Sequence, residues 1–163
     1  IQGPNLERKR AIAEDPSGLY ALFGTLPATG YDSYAAILDD IQSRMFADFP
    51  QVSELSYEIS DISEEIASTS GVTAYFNIPT LDGDSVRQLR VNPLSNDVSS
   101  ISTYSTVAHE GFPGHMYQYA YLYENLTSPW RKALASNDAY TEGYATHAQY
   151  APSQHLDLSP IPL

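Results

Sequence analysis

Two histidines six residues apart, His109 and His115, bracket the segment HEGFPGH, and Glu110 follows the first of them. These side chains suit a hydrolytic metal centre, in which imidazole nitrogens hold zinc and a neighbouring carboxylate takes a proton from water. The spacing is the difficulty. In the familiar H-E-x-x-H arrangement the histidines lie one helical turn apart and leave the same face. Six residues at roughly 100° each make about 600° of rotation, which sends the two rings to largely opposite faces. An unbroken helix therefore cannot bring both to one ion. Pro113 breaks it: proline has no N–H for the carbonyl of His109, and its ring clashes there. The helix must bulge or restart over Gly111-Phe112-Pro113-Gly114, and a break that takes up two residues returns His115 to the face of a normal i+4 histidine. Proline and glycine inside a helix each cost stability, so their joint presence here needs a reason.

A hydrolytic zinc site takes three protein ligands. Glu142, in YTEGYATHAQY, lies 27 residues after His115 on a second predicted helix. Gly143 beside it would let the two helices approach closely. His147, five residues on, is a candidate contact for substrate or transition state and a poorer candidate ligand. Tyr104, Tyr140 and His147 are candidates to stabilise an oxyanion, and the sequence does not rank them. Taken singly, each residue has a plainer role. The histidines suit hydrogen-bonded structural positions, Glu142 a surface or ion-paired carboxylate, and Tyr104, Tyr140 and Tyr144 the core. The combination of H-E-x-x-P-G-H with a later E-G-Y-A is what points to a metal.

The elements that must position these residues belong to one expected domain, 1–163, of ordinary size for a single core. Tyr34, Ile37, Leu38, Ile41, Met45 and Phe46 recur at helical spacing after Asp32 and Ser33, both good N-caps, and Pro50 closes the segment. Leu55, Tyr57 and Ile59 alternate with polar residues as a half-buried strand does. A second strand is expected over 73–78 and a third over 87–91, with turn chemistry at Asp82-Gly83 between them. Helical pattern resumes near Ser100 and runs through the motif to about Asn125, with a break at Pro113-Gly114. Ser128-Pro129 starts a short helix through Leu134. A last helix covers 139–150, stopped by Pro152. One short helix is expected around residues 5–14, and the tail from His155 reads as loop. The fold class is α+β, a small antiparallel or mixed sheet packed with helices.

Composition narrows the partners. The formal charge is −12, from 20 acidic and 8 basic residues, a field that repels nucleic-acid backbones and anionic lipid surfaces. Without cysteine there is no thiol nucleophile, disulfide or thiolate metal site, so any metal is held by His, Asp or Glu. No apolar run is long enough to span a membrane, and the N-terminus shows no signal-peptide pattern. The acidity and missing cysteines are compatible with export to the cell envelope or beyond. The 13 tyrosines suit a lined cleft or a polar-faced core. Phosphate loops, dinucleotide fingerprints and the serine-hydrolase elbow are absent.

The segments AHEGFPGHMYQ at 108–118, TEGYA at 141–145, AYFNIPTLDG and RVNP at 90–93 together resemble the bacterial proteins grouped as domain of unknown function 885. That family is related to zinc metallopeptidases of the gluzincin kind, with two histidines and a glutamate as ligands. The resemblance is strongest over 31–150. It implies a zincin-like core with a kinked helix, zinc at His109, His115 and Glu142, and Glu110 as general base. Where relatives often carry a second histidine and a tryptophan, this chain has Met116 and Tyr144, neither a proposed ligand. Relatives are usually several hundred residues long, so the chain is expected to be a core fragment. The implied activity is peptide hydrolysis, with the strand at 87–91, if at a sheet edge, aligning an extended peptide. The alternatives are a non-catalytic metal-binding or structural domain, and a metal-dependent amidase or esterase.

Overall fold

The structure is a computed structural model that describes residues 28–81, 86–94, 97–134 and 137–156. The helix expected at 5–14, the Asp82-Gly83 turn and most of the C-terminal tail lie outside the described residues.

Helix α1, Tyr34–Met45, begins where Ser33 accepts a hydrogen bond from the Ala36 N–H and buries Ile37, Leu38, Ile41 and Met45, as the spacing requires. It ends at Met45 rather than at Pro50, and the Phe49 N–H still reaches the Met45 carbonyl. Strand β1 follows at Tyr57–Asp61, helix α2 at Glu64–Thr69, β2 at Ala74–Asn77 and β3 at Arg87–Val91. Helices α3, Ile101–Glu110, and α4, His115–Asn125, come next. They precede α5, Pro129–Leu134, α6, Asp138–Ala148, and a single turn, α7, Tyr150–Ser153. The class is α+β.

The sheet is mixed, in the order β1-β3-β2, with β1 parallel and β2 antiparallel to β3. The strand at 87–91 is therefore central, not an edge, and both its sides are taken by partner strands; it cannot receive an added peptide strand. Alternation reveals which face of a strand is buried but not which strand lies beside it. Leu89 and Val91 turn inward from β3 to meet Ala74 and Phe76 of β2.

Helix α3 is the hub. It packs on α1, on β2, on α6 and on α7, and its Tyr104, Val107 and Ala108 are fully buried. On α6 the residues turned inward are Ala145 and Ala148, whose small side chains let the helices approach. Gly143 is not the cause: among the described residues, a Cβ there would meet nothing within 4 Å. Nor does Pro152 stop the last helix. It sits inside α7, in a first turn whose N–H groups have no intrahelical partner anyway. Among the described residues, no helix is long and apolar enough to cross a membrane.

Candidate metal centre

The break expected in HEGFPGH is a full restart. Helix α3 ends at Glu110, and α4 opens at His115 after four residues that include a cis Phe112–Pro113 peptide. The restart is packed from all sides. Phe112 and Pro113 are fully buried, and the Gly114 N–H donates to the Ala108 carbonyl at 3.0 Å. A Cβ on Gly114 would overlap the carbonyl of His109 and lie 2.6 Å from that of Ala108. A Cβ on Gly111 would overlap Leu38 and lie 2.7 Å from the Val107 carbonyl. The two glycines are thus required by close approach of backbone and core. His109 ends up in the last turn of one helix and His115 in the first residue of the next.

Their rings meet edge to face, with centroids 4.8 Å apart. Glu142 completes the group from α6, where Asn137 caps the helix by accepting from the Tyr140 N–H. His109 Nε2 is 3.3 Å from Glu142 Oε2, and His115 Nε2 is 3.4 Å from Glu142 Oε1. One donor atom from each of the three residues lies within 4.8 Å of the others. Donors on a tetrahedral zinc with bonds of about 2.0–2.1 Å stand about 3.3 Å apart; each His–Glu separation is close to that, though to a different carboxylate oxygen, so the side chains lie near enough to gather on one ion after small adjustment. The donor set also fits, being two imidazole nitrogens and a carboxylate with no thiolate. The histidine side chains are mostly covered, at 18% and 10% exposure, while that of Glu142 is 63% exposed. The group therefore opens to solvent on the glutamate side.

Glu110 accepts a hydrogen bond from the Phe76 N–H at 2.9 Å, which ties the end of α3 to the outer edge of β2. The other nominated residues lie elsewhere. Tyr104 is fully buried, stacks on Tyr31 and donates to the Pro152 carbonyl at 3.2 Å, so it belongs to the core and not to an oxyanion site. Burial pushes its hydroxyl well above the ordinary range. His147 is exposed on α6 and stands outside the three-residue group. Tyr140 is exposed and borders a cavity of about 380 Å³ that Tyr117, Tyr121 and Tyr144 also line. Tyr144 donates to the Pro113 carbonyl at 3.0 Å and so braces the break, and Met116 is buried in the core.

Two residues that the motif reading passed over touch the histidines. Gln149 Oε1 lies 2.8 Å from His109 Nδ1, and Gln118 Oε1 lies 3.4 Å from His115 Nδ1. Neither carried a motif signal: Gln118 lies one turn after His115 on α4, but Gln149, the C-cap of α6, is 40 residues from the His109 it faces.

Over residues 7–154 the chain matches the family described as "Bacterial protein of unknown function (DUF885)", and it belongs to that family. Its fold is similar, at a TM-score of 0.65 and 19% identity, to the crystal structure titled as that of "the putative lipoprotein from Colwellia psychrerythraea". The likeness covers 96% of this chain and 27% of that one, so the chain spans about a quarter of that protein's length. No protein with a curated description matches.

Proposed function

We propose that this member of the family is a zinc-dependent hydrolase with a zincin-like centre, acting on peptide bonds. The observation that carries the proposal is the convergence of His109, His115 and Glu142 from three helices, two of them separated by the break at 111–114. Zinc held by these three would make water nucleophilic near neutral pH and polarise a carbonyl. Glu110, next in sequence to His109 and held at Oε2 by the Phe76 N–H, is the residue that would act as base toward water at the centre. Exposure of Glu142 favours this over a purely structural site, because a structural zinc is enclosed by four protein ligands and here three are gathered among the described residues. Gln118 both touches His115 and lines the tyrosine-walled cavity, so an apolar or aromatic substrate side chain seated there lies beside the centre. Tyr140, at the exposed rim, is the remaining tyrosine candidate for contact with the developing oxyanion.

The first test is elemental analysis of the purified chain beside Glu142→Ala. About one zinc per chain is expected, lost or much weakened in the variant. Glu110→Gln should then keep the metal but lower kcat/KM on a peptide panel by at least about a hundredfold. Cleavage of amides or esters but no peptide would move the assignment to a non-peptide hydrolase. Absence of bound metal after zinc is supplied would sink the proposal.

A further inference from the structure

Beyond the ligands themselves, we propose that Gln149, seconded by Gln118, is a positioning residue that fixes the histidine tautomer for metal binding. This rests on the metal assignment above but concerns atoms of the chain alone. The Oε1 of an amide accepts hydrogen bonds and cannot donate. Where it faces Nδ1, as Gln149 faces His109 at 2.8 Å, a hydrogen bond between them requires the ring proton on Nδ1. A neutral imidazole has one such proton, so Nε2 is left with a bare lone pair. Gln118 imposes the same choice on His115 across 3.4 Å, at the long end of hydrogen-bonding distance and correspondingly weakly.

The consequence lies on the other side of both rings. Two unprotonated Nε2 atoms face the two oxygens of Glu142 at 3.3 and 3.4 Å, lone pair against lone pair. That arrangement is repulsive unless a cation sits among them. The amides thus hold both ligand nitrogens ready, and an incoming cation need not first displace a proton from either. Metal-ligating histidines commonly have their second nitrogen held in this way, and loss of the partner typically costs ten- to a hundredfold in affinity.

The test begins with long-range proton–nitrogen correlation spectra of the metal-free chain, at a pH where its histidines are neutral. His109 should carry its proton on Nδ1, although free imidazole side chains favour Nε2–H. Gln149→Leu should move the His109 proton to Nε2 and leave His115 unchanged. In competition with a chelator, Gln149→Leu should bind zinc about tenfold or more weaker, Gln118→Leu should show a smaller loss, and Gln149→Glu, which keeps an acceptor, should restore binding. If His109 already carries its proton on Nε2, or Gln149→Leu alters neither tautomer nor affinity, the positioning role is wrong even though zinc binds. If the tautomers are as stated but the wild-type chain takes no zinc, the positioning stands and the metal assignment fails.

Discussion

Gly114 has no space for a side chain, because the carbonyls of His109 and Ala108 occupy the position a Cβ would take. Those atoms are backbone and cannot swing aside as a flexible side chain would. Gly114→Ala is therefore expected to force the two helices apart, costing about 3 kcal/mol or more of stability and separating His115 from His109. Gly143 is the control: it lies mid-helix with no described residue within 4 Å of where a Cβ would stand, so Gly143→Ala should raise stability by up to about 1 kcal/mol and leave metal binding intact. Urea midpoints and zinc content of the two variants check both signs. A neutral Gly114→Ala would show that the break is looser than drawn. The same contrast marks the limit of sequence reasoning at this scale. The Pro-Gly pair signalled a break because its backbone chemistry is local. Whether a given glycine serves close packing depends on what lies opposite, and Gly143 faces none of the described residues closely. The His109–His115–Glu142 group was legible because its residue types are rare and chemically specific. Gln118 and Gln149 carried no such mark, since an amide beside a histidine is recognised only by the atom it faces.

Among elements, the helices with regular burial were the legible ones. Ser33 capping α1, and Ile37, Leu38 and Ile41 at its inner face, are local features that survive into the fold. Helix α2 escaped because it has six residues and one buried side chain, Ala67, too little to make a period. The strand order escaped for another reason: pairing across many residues leaves no trace in one strand's alternation. What holds that order is partly visible at Asn92, directly after the central strand. Its fully buried amide donates to the carbonyls of Ala67 and Val72 at 3.2 and 2.9 Å, and its Oδ1 accepts from the Leu94 N–H at 2.9 Å. One side chain thereby ties the end of α2 and the approach to β2 to the exit of β3. Asn92→Ala would strip three backbone groups of a partner at once. Each such loss costs about 1–3 kcal/mol when water cannot replace the bond. A total loss of about 3 kcal/mol or more is expected in equilibrium unfolding, with weakened metal binding to follow because β2 carries the N–H that holds Glu110. Destabilisation under about 1 kcal/mol would mean that water reaches this corner and the tie is dispensable.

For the whole molecule, the abundance of tyrosine has a consequence for the pH range of the fold. The 13 tyrosines indicated a polar-faced core or a lined cleft, and both occur: Tyr104 lies in the core, while Tyr117, Tyr121, Tyr140 and Tyr144 surround the cavity. Which tyrosine went where was not legible, since the same ring serves either environment. Burial is the main cause that raises the hydroxyls of Tyr57, Tyr104 and Tyr144 well above their ordinary range, and it pushes Tyr117 up to about 12. In the unfolded chain these groups ionise near their ordinary value of about 10. Below that pH both states keep the protons, so these tyrosines add no pH dependence. Above it the unfolded chain releases protons that the folded chain retains, and stability falls as pH rises until the folded groups also ionise. Each buried tyrosine adds at most about 1.4 kcal/mol per pH unit to that slope. The chain's formal charge of −12 acts in the same direction once phenolates form, through repulsion in the compact state. Urea midpoints from pH 8 to 11.5 should therefore be nearly flat in their tyrosine contribution to about pH 10 and then fall steeply. Tyr144→Phe should make the alkaline slope shallower, at some cost in stability at neutral pH from losing its hydrogen bond to the Pro113 carbonyl. An alkaline slope identical in wild type and Tyr144→Phe would mean that this hydroxyl titrates as in water, and the brace it gives the break at Pro113 would not exist in solution.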